Sequence, residues 1–316
     1  MKMKKPALKY LLVFTTLLCS GVYFACDYGK VKSVTTIGET SIEVDESISP
    51  VVKKEAAEFM RLNTESKVNM TVKTTNEVMA DLINGDIKTV VASREFNRVE
   101  KEHIDKFKID VKKNKFAIDA IGVIVNTANP VSKMTYNELK GIFTGETKNW
   151  DELKGDNKGL YKGNIKVFIA RGNAAIHDIF KEKVLASQDY GTYDYPCSTS
   201  TQMLDEIQKD KHSIGFITLS WITKFADTLD TAVKPLKIAA VDSTGFPLGN
   251  YVGLHQGYVA DGEYPLAVDI YIYSTDYGLN VSTGLISFML SFDGQKIVLN
   301  SGLVPVTQPV RIIQLK

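Results

Sequence analysis

The sequence predicts an α/β protein of two lobes, and three observations carry that expectation. Strand and helix patterns alternate over most of the 316 residues, which is the signature of largely parallel sheets covered by helices. Two apolar, β-prone segments, 116–125 and 266–273, are long enough to cross from one lobe to the other and back. No internal repeat or low-complexity tract interrupts the order, which favours one compact body over an array. Length for one large domain or two ordinary ones, with 44% hydrophobic and 24% charged residues, excludes disorder, collagen and a multi-span membrane protein.

Each element has its own reason. Residues 41–44 read as a short strand. Pro50 then sits in the first turn of a helix whose apolar positions Val52, Ala56 and Phe59 recur at i, i+4 and i+7, with Ser47 or Ser49 as its cap. Residues 68–72 form the next strand, 76–84 a helix stopped by Gly85, and 88–92 a strand, giving β-α-β-α-β. A charged helix follows at 98–107, then the long crossing strand. After Asn126 the chain starts again, with a helix at 136–143, a strand at 165–170 and helices at 174–185 and 200–208. Strands at 213–218 and 236–241 come next. Residues 242–264, rich in Gly and Pro, read as irregular surface chain. The returning strand, a helix at 283–290 and a closing segment complete the chain. The lobes expected from this order are 41–124 with 266–316, and 125–265, closing by a hinge near 121–126 and 265–269.

The first 25 residues have the pattern of an export signal. Lys2, Lys4, Lys5 and Lys9 form a positive start, and 11–25 is an uncharged, mostly apolar run too short to span a bilayer comfortably. The formal net charge is +1; removing four of the 38 basic residues leaves 34 against 37 acidic ones, a mildly acidic mature chain. That balance argues against a nucleic-acid partner. Signal peptidases require a small residue before the cut, so Cys26, after Ala25, is favoured over Cys19, after Leu18. Tyr23-Phe24-Ala25-Cys26 resembles a bacterial lipobox. The expectation is a lipid on Cys26, a tether at 26–40, and a chain held at the cell envelope, facing the periplasm or exterior. Only Cys197 then remains in the mature domain, as a small apolar filler.

Enzyme signatures are absent: there is no G-x-S-x-G, no H-E-x-x-H, no phosphate-binding P-loop and no G-x-G-x-x-G. The four histidines lack metal-ligand spacing, so no metal and no cofactor are expected. His177 and Asp178 are neighbours on a helix, where adjacent side chains diverge, and read as surface. Anion binding has more support. Two helix starts follow strands and carry small or hydroxyl residues, at Asp45-Glu46-Ser47-Ile48-Ser49 and Gly172-Asn173-Ala174-Ala175. A helix start offers unpaired N–H groups and a partial positive charge. Ser93-Arg94-Glu95 ends a strand with a hydroxyl and a guanidinium that can fork onto an oxyanion.

Further segments carry a family resemblance: Val90-Val91-Ala92-Ser93-Arg94-Glu95, Ile118-Asp119-Ala120-Ile121-Gly122, Asn129-Pro130, Leu139-Lys140-Gly141-Ile142-Phe143-Thr144-Gly145, Asn149-Trp150, Ser213-Ile214-Gly215-Phe216-Ile217, Tyr264-Pro265-Leu266 and Gly302-Leu303-Val304-Pro305. In this order they resemble the PstS-like phosphate-binding proteins of bacterial ABC uptake systems, in the type II periplasmic-binding-protein superfamily, over about 41–315. The resemblance implies two Rossmann-like lobes whose cleft closes on one oxyanion, most simply inorganic phosphate, without covalent chemistry. It implies a monomer that hands its ligand to an ABC permease. By position it places Glu46, Ser47, Ser93, Arg94, Asp119, Arg171, Asn173, Ala174 and Ala175 at the cleft. Arg171 would supply charge, Ser47 and Ser93 hydroxyl donors, and Ala174 and Ala175 backbone N–H groups. Glu46 or Asp119 would accept the proton of hydrogen phosphate, which sulfate lacks. Many members read Gly-Ser-Ser/Thr-Thr at the first helix start and Ser-Gly-Thr at the second. Here Asp45-Glu46-Ser47 adds negative charge and Ala174-Ala175-Ile176 removes two hydroxyls. That departure motivates the alternative expectation, a non-transport sensor or assembly protein on the same fold. Asp227-Thr228-Leu229 and Asp230-Thr231-Ala232 resemble O-glycosylation signals.

Overall fold

The computed structural model describes residues 34–191, 195–226, 232–241 and 247–307. The export signal, Cys26, most of the expected tether and all but the last residue of the glycosylation-like triplets lie outside these. The first half builds strand β1 (Gly38–Asp45), helix α1 (Ser49–Leu62), β2 (Ser66–Lys73), α2 (Thr75–Asn84), β3 (Thr89–Ala92), α3 (Arg98–Phe107) and the 15-residue β4 (Lys112–Asn126). The last part of the expected tether, 26–40, belongs to the fold instead. Gly38 to Thr40 already pair with Ser66 to Val68 in β1 and β2, and a 3-10 turn at Val34–Thr36 precedes them.

Beyond β4 come β5 (Lys133–Thr135), α4 (Tyr136–Phe143), β6 (Lys166–Ala170), α5 (Ala175–Lys183), β7 (Tyr195–Cys197), α6 (Ser200–Lys209), β8 (Ser213–Thr218) and α7 (Leu219–Ala226). Next are β9 (Val233–Pro235), β10 (Lys237–Val241), β11 (Pro247–Val252) and α8 (Gln256–Ala260). The segment expected to be irregular therefore holds a strand and a helical turn. β11 pairs antiparallel with β10, and β10 lies parallel to β5, a cross-strand hydrogen bonding that Gly and Pro content does not reveal. The chain closes with β12 (Ala267–Ser274), α9 (Val281–Leu290), α10 (Phe292–Asn300) and β13 (Val304–Pro305).

The large sheet runs β2-β1-β3-β12-β4-β8-β6-β7, with β9 and β13 also on β4. β4 is the strand shared by both halves. Its start pairs with β12 and β13, up to Ala120 opposite Ala267. From Ile121, opposite Thr218, it pairs with β8 and then β9. The exchange of partners thus falls between Ala120 and Ile121, at the crossing the apolar run predicted. β1, β2 and β3 are mutually parallel, as are β6, β7 and β8, so each half presents the carboxyl ends of its parallel strands to the seam.

The core fills both halves. In the second, Phe180 and Phe216 stack at 4.1 Å between centroids, with Phe143 edge-on at 4.8 Å from Phe180. In the first, α10 packs on α1 and α9, and Gly294 makes the approach possible. A Cβ there would lie 2.3 Å from the Phe288 carbonyl oxygen and 2.8 Å from Met289 Cα. Both are backbone atoms at the end of α9 and cannot rotate away. Gly294→Ala is accordingly expected to destabilise the fold by about 2 kcal/mol, read as a lower denaturation midpoint at unchanged slope.

Candidate functional site

The carboxyl ends of β1, β2 and β3 converge. Asp45, the last residue of β1 and buried, caps the 3-10 turn at Glu46–Ile48, accepting from Ser47 N at 3.0 Å. Neither Ser47 nor Ser49 caps α1, whose N-cap position is Ile48 with no side-chain hydrogen bond; the side-chain cap here is that of Asp45 on the preceding 3-10 turn. Its other oxygen accepts from Thr75 Oγ1 at 2.7 Å, from Ser93 N at 3.2 Å and from Ser93 Oγ. Ser47 Oγ donates to Ser93 Oγ at 3.1 Å. Thr75 opens α2 just past β2, and Ser93 follows β3, so one carboxylate gathers donors from three strand ends.

The second half meets the same group. Ala175 N, at the start of α5, donates to Thr75 Oγ1 at 2.9 Å, and Asn76 N donates to Asn173 O at 3.3 Å. The Glu46 carboxylate accepts from Ser200 N and Ser200 Oγ, both at 3.0 Å, at the start of α6. Trp221 Nε1 donates to Glu46 O at 3.0 Å. Thr218 Oγ1 and Ser220 Oγ each donate to Ser47 O at 2.8 Å. The Asp45-Glu46-Ser47 step is therefore bonded across the seam through backbone and side chains alike. A cavity of about 20 Å³ remains there, lined by Glu46, Arg171, Ala174, Ser198, Ser200 and their neighbours, room for about one water.

The other residues expected at the cleft fall into distinct places. Arg171 lines the cavity, and its guanidinium makes no hydrogen bond or ion pair among the described residues. The Thr74 hydroxyl and N–H hold the Glu77 carboxyl below its usual range, with a smaller contribution from the charge of Arg171. Arg94 is engaged elsewhere: it forks onto Glu100 at 2.7 Å through each of two nitrogens and reaches Asn76 Oδ1 at 2.9 Å. Glu100 is the capping-box residue of α3, so Arg94 locks that helix start. Ala174 N donates locally to Arg171 O at 3.0 Å. Asp119 lies in β4, fully buried, accepting from Ala120 N at 2.7 Å and Ser220 N at 3.3 Å, while its Oδ2 has no partner among the described residues. Burial pushes its carboxyl up to about 7. It touches the site through Ser220 and does not line the cavity.

Cys197 is buried, and burial, with the charge of Glu206, pushes its thiol up to about 11, which leaves it an unreactive filler. His177 and Asp178 do meet, Nδ1 to Oδ1 at 3.1 Å, contrary to the expectation from helical spacing. They lie in the first turn of α5, with the His177 ring packed on Tyr190 at 4.6 Å between centroids and Asp178 exposed.

Thr75, Ser200, Thr218, Ser220 and Trp221 were not foreseen. Ser198-Thr199-Ser200 opening a helix after β7 is the same kind of signal that pointed to Ser47. Thr75 looks like any threonine near a capped helix start, and only the fold brings it to Asp45.

A family model described as a PBP superfamily domain matches residues 31–291, most of the chain. The chain belongs to the PBP superfamily. Among curated relatives of this PBP chain, the phosphate-binding protein PstS of Staphylococcus saprophyticus is 25% identical over 254 residues, covering 80% of this chain and 75% of that protein. The protein of the same name from Staphylococcus epidermidis (strain RP62A) is 24% identical over 295 residues, covering 91% and 86%. Among solved structures, a substrate-binding protein from Clostridium perfringens with bound phosphate superimposes with a TM-score of 0.71 at 23% identity, covering 85% of this chain and all of that one. An ABC-type phosphate transport receptor from Vibrio cholerae gives 0.63 at 18%, covering 84% and 99%. The PBP fold of type II is that of the two-halved sheet described above. Among the described residues no helix is long and apolar enough to cross a membrane.

Proposed function

We propose that this chain is the solute-binding component of an ABC uptake system, held at the outer face of a membrane by a lipid on Cys26, and that it takes an oxyanion, phosphate first, between its halves. One observation carries the reading. Donors from the carboxyl ends of β1, β2 and β3, and through Thr75 the N–H of Ala175 on the opposite half, converge on a single anionic group. Backbone N–H groups and hydroxyls so arranged stabilise a cluster of negative oxygens without a charged pocket. Arg171 beside them supplies the one guanidinium on the cavity wall, suited to a bidentate grip on a tetrahedral oxyanion. The names of the PstS relatives and the phosphate bound in the C. perfringens neighbour favour phosphate over other oxyanions. Opening about the Ala120/Ile121 exchange in β4 and the chain entering β12 admits the solute; closing buries it. A permease then recognises the closed form.

Protein stripped of phosphate by unfolding and refolding is titrated with phosphate and sulfate while its thermal unfolding and Trp fluorescence are followed. Trp221 bridges the halves and reports their closure directly. Ligand at one hundred times Kd adds about 2.7 kcal/mol of stability, a shift of several degrees. A saturable shift with phosphate is expected; no saturable response to either anion up to tens of millimolar contradicts the reading.

A further inference from the structure

We infer that Asp45 is a resident counter-anion: its carboxylate occupies the donors meant for the solute, so the cleft closes on the chain itself and an oxyanion enters only by displacing it. The inference rests on the reading of the seam as an oxyanion site and concerns what fills it.

The geometry supports each part. A ligand oxyanion at this place requires the Ser47 N–H, the Ser93 N–H and hydroxyl and the Thr75 hydroxyl; all four already point at Asp45 Oδ1 and Oδ2. The carboxylate is buried, so these bonds form away from water, where bonds to a charged acceptor are strongest. The neighbouring Glu46 carries a second carboxylate to the other half and satisfies the start of α6 through Ser200. Both carboxylates of this step thereby find their donors within the chain, and the halves are joined across a cavity with room for about one water. A divalent phosphate placed among the same donors faces Asp45 at contact distance, and two anions cannot share one donor set. A site whose competent state is populated only when Asp45 swings out has its apparent Kd raised by the inverse of that population.

Two measurements decide it. Small-angle scattering of stripped wild-type protein is expected to match the form joined across the seam with no solute present, and Glu46→Ala, which removes the contact to Ser200, is expected to shift the profile to a larger radius. Phosphate binding is expected to tighten about 100-fold or more in Asp45→Ser relative to wild type, with Asp45→Asn, which keeps the volume and removes the charge, in between. Phosphate is also expected to raise the melting temperature of Asp45→Ser far more than that of wild type. Stripped wild-type protein that scatters as an open form overturns the inference, whatever the variants do. So does wild-type protein that binds phosphate at least as tightly as both Asp45 variants, an outcome that leaves the transport reading standing. Closed wild-type protein, opened by Glu46→Ala, with no form binding phosphate or sulfate supports the self-filled cleft and instead overturns the transport reading.

Discussion

Glu55→Gln is expected to stabilise the protein by about 3 kcal/mol at pH 7. Glu55 lies on the inner face of α1 beside Val51, Val52, Ala56 and Phe59, fully buried, and neither carboxyl oxygen has a partner among the described residues. Burial pushes the carboxyl up to about 9 from an ordinary 4.5. The sign follows from linkage: the folded chain keeps a proton that the unfolded chain releases above about 4.5. The stabilising contribution of the protonated form is therefore complete below that value and is lost steadily as pH rises toward 9. Glutamine fills the same volume and has no proton to lose. Wild-type stability should fall from pH 5 to pH 9 while the variant stays flatter, the gap widening with pH in parallel urea titrations. A gap independent of pH would contradict an unpartnered, buried Glu55.

Arg171→Ala should weaken oxyanion binding by about 3 kcal/mol, roughly 100-fold in Kd, with little change in melting temperature of the stripped protein. The two halves of that expectation have separate causes. A guanidinium fork on an oxyanion makes two charge-assisted hydrogen bonds, and among the described residues no carboxylate holds the same guanidinium, so its removal orphans nothing in the fold. Arg94→Ala supplies the contrast. Its guanidinium is spent on Glu100 and Asn76, so that change should loosen the start of α3 and leave binding nearly intact, measured side by side in the same thermal and calorimetric assays.

These contrasts show where the sequence was legible. Local pattern marked β1 to β3 with α1 and α2 between them, because each alternates cleanly and Gly85 ends α2 in a left-handed conformation. The apolar run at 116–125 marked the crossing strand, though its polar start, from Lys112, is strand as well because β12 pairs with it. β7 and β11 escaped notice because each carries Pro, and cross-strand partners decide such segments. At the site, the resemblance put Ser47 and Ser93 side by side, and the two hydroxyls bond to each other. The extra charges of Asp45 and Glu46 were legible as an anomaly, but not their outcome. Sequence shows two carboxylates at a helix start; only the fold shows that donors from three strand ends have closed on one of them. Arg94 was misjudged for a similar reason, since its partner six residues away is a capping residue whose side chain turns back only once α3 forms.

The most direct test of the account is a calorimetric titration of stripped protein with millimolar phosphate, wild type beside Arg171→Ala. Saturable one-site binding in wild type, weakened about 100-fold in the variant, is the predicted result. Binding that is equally tight in both proteins, or no binding heat in wild type, would contradict the assignment of this seam as the oxyanion site.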